Sequence, residues 1–267
     1  MSAPWRYCDG RPHDGAMDIS GNTIFIPGAT SGIGLVLALR LQARGNTVII
    51  GGRRTQLLEQ LAAEHGLGTV RIDTADADSI REASAAVLAE HPDINVLIAM
   101  AGIMQAEDWH RPADFLATAE AIVTTNVLGP IRLIAAFVEH LQAQPKAAVM
   151  TVSSGLAFVP LRFTPTYNAT KAAIHQLSES IRLQLADTSV QVLELVPPSV
   201  QSDLMPGHAD DEAAMPLDEY VDEVMTLIET QPDATEILVQ RVGFLRFAEA
   251  RGDYDQVVGV LNGHGRE

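Results

Sequence analysis

From Asn22 onward, short apolar runs rich in Val and Ile alternate with longer stretches whose apolar positions recur at helical spacing. The runs "TIFIP" (23–27), "TVII" (47–50), "TVRI" (69–72), "INVLIAM" (94–100), "AAVMTVS" (147–153) and "VQVLELV" (190–196) predict strands buried on both faces, with "EILVQ" (236–240) a further candidate. Helices are expected near 32–44, 54–64, 78–90, 113–142, 166–187 and 217–229. Alternation of this kind predicts an α/β fold: a single-domain, doubly wound parallel sheet of Rossmann type with helices on both faces. Ligands of such sheets bind at the carboxyl ends of the strands, near the switch in strand order.

Two stretches at those strand ends carry chemistry. After the first strand comes "PGATSGIG", with Gly28, Gly32 and Gly34 ahead of the helical run "LVLALRL". Glycines there permit a tight turn and close approach of a diphosphate, and the helix N-terminus offers its positive end to that anion. An ordinary strand-to-helix turn would use the same residues. Further on, "TYNATK" (166–171) places Tyr167 and Lys171 four residues apart, on one helix face. Alone, that pair reads more readily as a solvated surface pair than as a site.

The glycine spacing Gly-x-x-x-Gly-x-Gly together with "YNATK" resembles the short-chain dehydrogenase/reductase (SDR) family, and the likeness runs along residues 18–240. By that resemblance Gly28, Thr30, Ser31, Gly32, Ile33 and Gly34 fall on the cofactor turn and Asp73 on the adenine-contacting acid. "AMAG" (99–102) sits where the family has Asn-Asn-Ala-Gly, bringing Ala101 and Gly102 to the cofactor, and Asn126 falls on the central-helix asparagine. Ser154 lies on the catalytic serine, with Ser153 as competitor, and "PPSVQSDL" supplies Pro197, Val200 and Ser202 beside the nicotinamide. The stretches "SGLAFVP", "TPTYNATKAAIH" and "EILVQRVGFLRFAEARG" resemble the DltE-like branch of the family.

The resemblance implies an enzyme interconverting a carbonyl and an alcohol, with Tyr167 as general acid/base. Lys171, together with the positive nicotinamide ring, would draw the phenol toward working pH; it would also hold the nicotinamide ribose, while Ser154 would position the substrate oxygen and Asn126 would hold a relay water. The second strand ends in Gly51-Gly52-Arg53-Arg54 with no acid. Arginine forks suit a phosphate, so NADP(H) is expected over NAD(H), read by Arg53 first and Arg54 second. Two departures bear on the cofactor: Pro27 replaces a threonine before the first glycine, and Ala99 and Met100 replace both asparagines. Weakened or altered cofactor binding is the expectation. A non-catalytic dinucleotide sensor or scaffold is the alternative, and a dehydratase, epimerase or enoyl reductase a third reading.

The segment 203–219 is acidic, carries two prolines and is expected to act as a substrate lid. Its Met205 and Met215 are equally readable as pocket lining or as linker, and Leu156, Phe158 and Phe163 suggest a moderately apolar pocket. The apolar positions of 113–142 and 166–187 on more than one face imply a covering partner, and family resemblance makes that a homodimer or homotetramer.

Composition narrows the partners. Hydrophobic residues at 47% of 267 suit a sizeable core. A net charge of −16 repels nucleic acid and anionic membranes; the small-molecule carbonyl or alcohol substrate is what the family resemblance implies. One cysteine, Cys8, and scattered histidines give no disulfide and no metal-ligand spacing, which fits a cytoplasmic protein. Residues 1–17 read as a disordered extension with Met17 a possible start, ahead of a single domain over 18–267. No later run is expected to be long and uncharged enough to span a bilayer.

Overall fold

The computed structural model describes residues 19–263. The expectations for 1–17, Cys8 and Met17 lie outside that range. The strands β1 (Thr23–Pro27), β2 (Thr47–Gly52), β3 (Gly68–Arg71), β4 (Val96–Ala99), β5 (Ala147–Val152), β6 (Val190–Leu195) and β7 (Glu236–Ile237) form one parallel sheet in the order β3-β2-β1-β4-β5-β6-β7. The chain winds outward through β1, β2 and β3, then returns to the other side of β1 with β4. The switch point therefore lies between β1 and β4.

Helices cover both faces because the strands are apolar on both. Helices α1 (Gly32–Ala43), α2 (Thr55–His65) and α7 (Leu217–Thr230) enclose one core with Ile24, Ile26, Val96 and Met150. On the opposite face α3 (Ala77–Glu90) and α5 (Gly129–Ala143) pack over Phe25, Leu97 and Val149. Each wholly buried Ile, Leu or Phe contributes about 1.5–3 kcal/mol, so the two cores hold the strand ends in fixed register. Local signals agree: the Asp76 carboxylate accepts from the N–H groups of Asp78 and Ser79 to start α3, and Gly66 ends α2 in the left-handed region at φ 69°.

The expected helix at 113–142 is α4 (Pro112–Val123) and α5 joined by one π turn, Thr124–Leu128. This join corrects a second expectation. The run Phe115–Ala143 is long and apolar enough to cross a bilayer, with mean hydropathy 1.7 over its best window. Here it serves the core: Leu133, Ile134, Phe137 and Leu141 of α5 pack onto the sheet. Helix α6 (Pro165–Gln184) packs beside it over β5 and β6. Three short helices were not anticipated: α8 (Gly243–Arg246), α9 (Ala248–Arg251) and α10 (Tyr254–Leu261). They fold back onto the turn after β5. There Asn262 accepts from the Arg162 N–H at 2.8 Å and donates to the Pro160 carbonyl at 3.0 Å.

Candidate active site

A single cleft of about 1030 Å³ opens at the carboxyl ends of the strands, beside the switch point. At one end is the glycine turn. Gly28 adopts φ 92°, and a Cβ there would lie 2.5 Å from the Cα of Ala101, so β1 and the exit of β4 touch only because this residue is glycine. Ser31 stands at the N-cap of α1 with extended backbone, and its hydroxyl makes no cap hydrogen bond. The first N–H groups of α1 are thus left for a ligand in a cleft lined by Gly28, Thr30, Ser31, Gly32, Ile33 and Gly34.

Both departures from the family pattern meet at this spot. The β1–β4 pairing of Ile24 with Val96 and Phe25 with Leu97, continued two residues, sets Pro27 opposite Ala99. Gly28 donates to the Gly51 carbonyl of β2 at 2.8 Å, so the alternating backbone turns the Pro27 nitrogen toward β4. There β4 bends, its Met100 N–H bonding the Ile98 carbonyl at 2.9 Å. The proline sits where the ladder has already ended, the position at which a strand tolerates it. Ala99 is buried in the sheet core and Met100 packs toward Gly34.

Beyond the turn, Arg53, Arg54 and Asp73 line the cleft at the ends of β2 and β3. Arg54 donates to the Thr30 hydroxyl at 3.2 Å. Asp73 accepts from the Ala75 N–H at 3.0 Å. Ala101 and Gly102 form the floor, and Pro197, Val200 and Ser202 the wall after β6.

Ser154, Tyr167 and Lys171 come together at the far end of the same cleft, each under a tenth exposed. The local sequence builds each position. Ser154 caps the short turn Gly155–Ala157, its hydroxyl accepting from the Leu156 N–H at 3.2 Å. Pro165 opens α6, where its missing N–H is not needed. No side chain of the adjacent Thr164 caps the helix; Glu107 reaches in instead, accepting from the Thr166 N–H at 2.9 Å. Tyr167 follows one residue later. Lys171 donates to the Val152 carbonyl at 2.8 Å, its Nζ 5.4 Å from the centre of the Tyr167 ring.

Burial, not the lysine, dominates the tyrosine. The phenol is pushed up to about 12 by desolvation, against a lowering hydrogen bond with Ser154. Lys171 is pulled down to about 8 by desolvation, against the opposing charge of Glu194. Low-dielectric surroundings penalise both charged forms; the shift of Tyr167 toward working pH is expected of Lys171 together with the positive nicotinamide ring.

Asn126 lies in the π turn behind the cleft wall, 1% exposed. Its amide accepts from the Ile103 N–H at 2.8 Å and donates to the Ile103 carbonyl at 2.9 Å and the Thr170 hydroxyl at 3.3 Å. The side chain fastens the helix to the loop after β4. Ser153 also lines the cleft, but its hydroxyl is engaged behind it, donating to Glu194.

Leu156 lines the cleft, whereas Phe163 is 51% exposed and Phe158 packs between the Arg246 guanidinium and the His175 ring. Met215 is neither pocket nor linker: it is 2% exposed and bridges to Val200. Met205 packs on the cluster of Met104, Ile122 and Tyr167. The loop portion of 203–219 thus ends before Met215, with α7 starting at Leu217. Sequence reasoning missed Leu245 and Leu261, which line the cleft from the C-terminal helices. It also missed Glu194, whose one signal was an acid inside a largely apolar strand.

A doubly wound parallel sheet, with a glycine turn at the switch point and a Ser-Tyr-Lys cluster at the other end of the cleft, defines a dehydrogenase of Rossmann type. The chain belongs to the short-chain dehydrogenase family, which it matches over residues 22–213, and is an oxidoreductase of that family. It is 38% identical over 251 residues to the uncharacterized oxidoreductase DltE of Bacillus subtilis (strain 168), covering 92% of this chain and 98% of that protein. It is also 31% identical over 199 residues to the NADPH-dependent 1-acyldihydroxyacetone phosphate reductase of Schizosaccharomyces pombe, covering 72% and 65% of the two chains. A short-chain dehydrogenase of Burkholderia cenocepacia J2315 solved in complex with NADP superposes with a TM-score of 0.75 at 25% identity, over 91% of this chain and 98% of that one.

Proposed function

We infer that the protein is an NADP(H)-dependent reductase of carbonyl compounds, with Tyr167 as general acid/base and an apolar substrate. The observation that carries this reading is the single cleft joining a free helix N-terminus and two arginines to Ser154, Tyr167 and Lys171. The residues fit the cofactor. Backbone N–H groups at Ser31–Gly34 suit its diphosphate, Arg53 and Arg54 a 2′-phosphate, and Lys171 the ribose hydroxyls. NADPH-dependent and NADP-bound relatives support the nucleotide preference. When bound, the nicotinamide supplies a hydride to the carbonyl carbon, or accepts one from the alcohol.

The protein's own part is the proton and the geometry. A phenol held near 12 keeps its proton at neutral pH, so Tyr167 is set to donate it to the substrate oxygen in the reduction direction and to take it back in oxidation. Ser154, already bonded to the phenol, orients the same oxygen and stabilises charge developing on it. Protonated Lys171 favours the tyrosinate left after transfer.

Around Ser154 and Tyr167 the wall is apolar: Met104, Leu156, Leu161, Leu204, Leu245 and Leu261. This composition selects a carbonyl compound with an apolar tail. The loop before Met215 contributes Leu204 and His208 to that wall and acts as the lid. Val123, Leu128 and Ile131, exposed on the continuous α4–α5 run, form the contact of a homodimer or homotetramer. The test is NADPH consumption with aromatic and medium-chain aldehydes and ketones, against sugars of similar size. Tyr167→Phe should lose about 10²–10⁴-fold in turnover while binding NADPH normally. Full activity in that variant would exclude the tyrosine mechanism.

A further inference from the structure

Behind the catalytic end lies a buried polar cluster that the proposed reaction does not use. Glu194, next to the carboxyl end of β6, is wholly buried. Its carboxylate accepts from the Ser153 hydroxyl and pairs with His175 Nδ1 at 2.9 Å. A charge so placed costs several kcal/mol unless partners compensate it, and strand β6 would be better served by Val or Ile. The partners are informative. Val152, Ser153 and Ser154 are consecutive: the first accepts from Lys171, the second donates to Glu194, and the third meets Tyr167. On α6, Tyr167, Lys171 and His175 lie one turn apart: the first meets Ser154, the second the Val152 carbonyl, and the third reaches Ser153 through Glu194.

We propose that Glu194 is a positioning residue for this site. Through Ser153 and His175 it fixes the Val152–Ser154 segment on which Lys171 and the Ser154 hydroxyl depend, and it sets a buried negative charge behind the lysine. The inference rests on the reading of Ser154, Tyr167 and Lys171 as the reacting end. Charged groups acting with or on Glu194 are Lys171, His175, Glu179 and Arg182 on α6, Glu236 on β7 and Arg246 on α8. A metal is not what the cluster holds together. Ligand atoms of His175, Glu194 and Glu236 do lie within 4.8 Å of one another. Arg246, however, clamps Glu236 with bonds of 2.8 and 2.9 Å, placing a guanidinium where a cation would sit.

Only two lysines, Lys146 and Lys171, occur in the chain, so a protein labelled with 13Cε-lysine gives two side-chain signals, assigned with Lys171→Arg. The expected result is that Lys171 titrates near 8 in the native protein. Glu194→Gln should lower that midpoint by about 0.5 pH or more, and Glu194→Asp should restore most of it. An unmoved midpoint in folded Glu194→Gln overturns the proposal. Should that variant not fold, Ser153→Ala decides: exchange of the 152–155 amides about tenfold faster supports the proposal, and unchanged exchange overturns it. Neither measurement needs the cofactor. Absence of NADPH binding would therefore count against the proposed function and leave this result standing.

Discussion

Replacing Gly28 by Ala tests whether the glycine turn is held by contact or only by backbone freedom. Two costs add at this residue. A non-glycine residue at φ 92° loses about 1–2 kcal/mol through its Cβ. The added methyl would also lie 2.5 Å from Ala101 Cα and 2.7 Å from its nitrogen, main-chain atoms that cannot swing aside as a side-chain end could. Overpacking of this kind costs about 1–3 kcal/mol, for a total of about 2–5 kcal/mol. Gly45 is the internal control: its φ is 86° and nothing stands within 4 Å of the Cβ position, so Gly45→Ala carries the first cost alone. Urea unfolding followed by circular dichroism gives both values, with an unchanged m-value showing that stability alone has moved. A Gly28→Ala cost equal to that of Gly45→Ala would refute the claimed contact between the glycine turn and the exit of β4.

Other outcomes follow from the same geometry. Arg53→Ala should weaken NADPH about tenfold or more while leaving NADH within about twofold, the loss of a charge-assisted contact, read by fluorescence titration. Lys171 has its folded pKa lowered from 10.5 to about 8, so between those values the unfolded chain binds the extra proton. Stability therefore rises with pH across that window. The gain is about 2 kcal/mol between pH 7.5 and 9.5 by urea unfolding, and it should vanish in Lys171→Met. Glu107→Ala should cost about 1 kcal/mol by uncapping α6 and lower turnover more than NADPH affinity, since the residue supports the turn that carries Tyr167; equal loss of both would contradict that placement.

The sheet was legible in the sequence because its strands are covered on both faces and so read as unbroken apolar runs. The ends of α2 and α3 lie within one residue of the expected 54–64 and 78–90. The break between α4 and α5 was not legible. A π turn keeps the chain helical while adding a residue to one turn, and Asn126 reveals it only through contacts with Ile103, 23 residues away. The C-terminal helices escaped because α8 and α9 span four residues each, too short for any period to show. Of the site, "TYNATK" and the glycine turn carried the geometry in their own spacing. Glu194 did not, since Ser153 stands 41 residues before it and His175 19. The burial that raises the Tyr167 phenol was not legible for a related reason: depth of burial is a property of the whole fold and of no local motif.

The central claim is that one cleft binds NADP(H) between Arg53 and Lys171. Calorimetric titration of the purified protein with NADPH and with NADH tests it most directly. The account predicts micromolar binding of NADPH and at least tenfold weaker binding of NADH, a gap of about 1.4 kcal/mol. Equal affinity for both would show that the arginines do not read the phosphate. Binding of neither would show that Pro27, Ala99 and Met100 have disabled the nucleotide site.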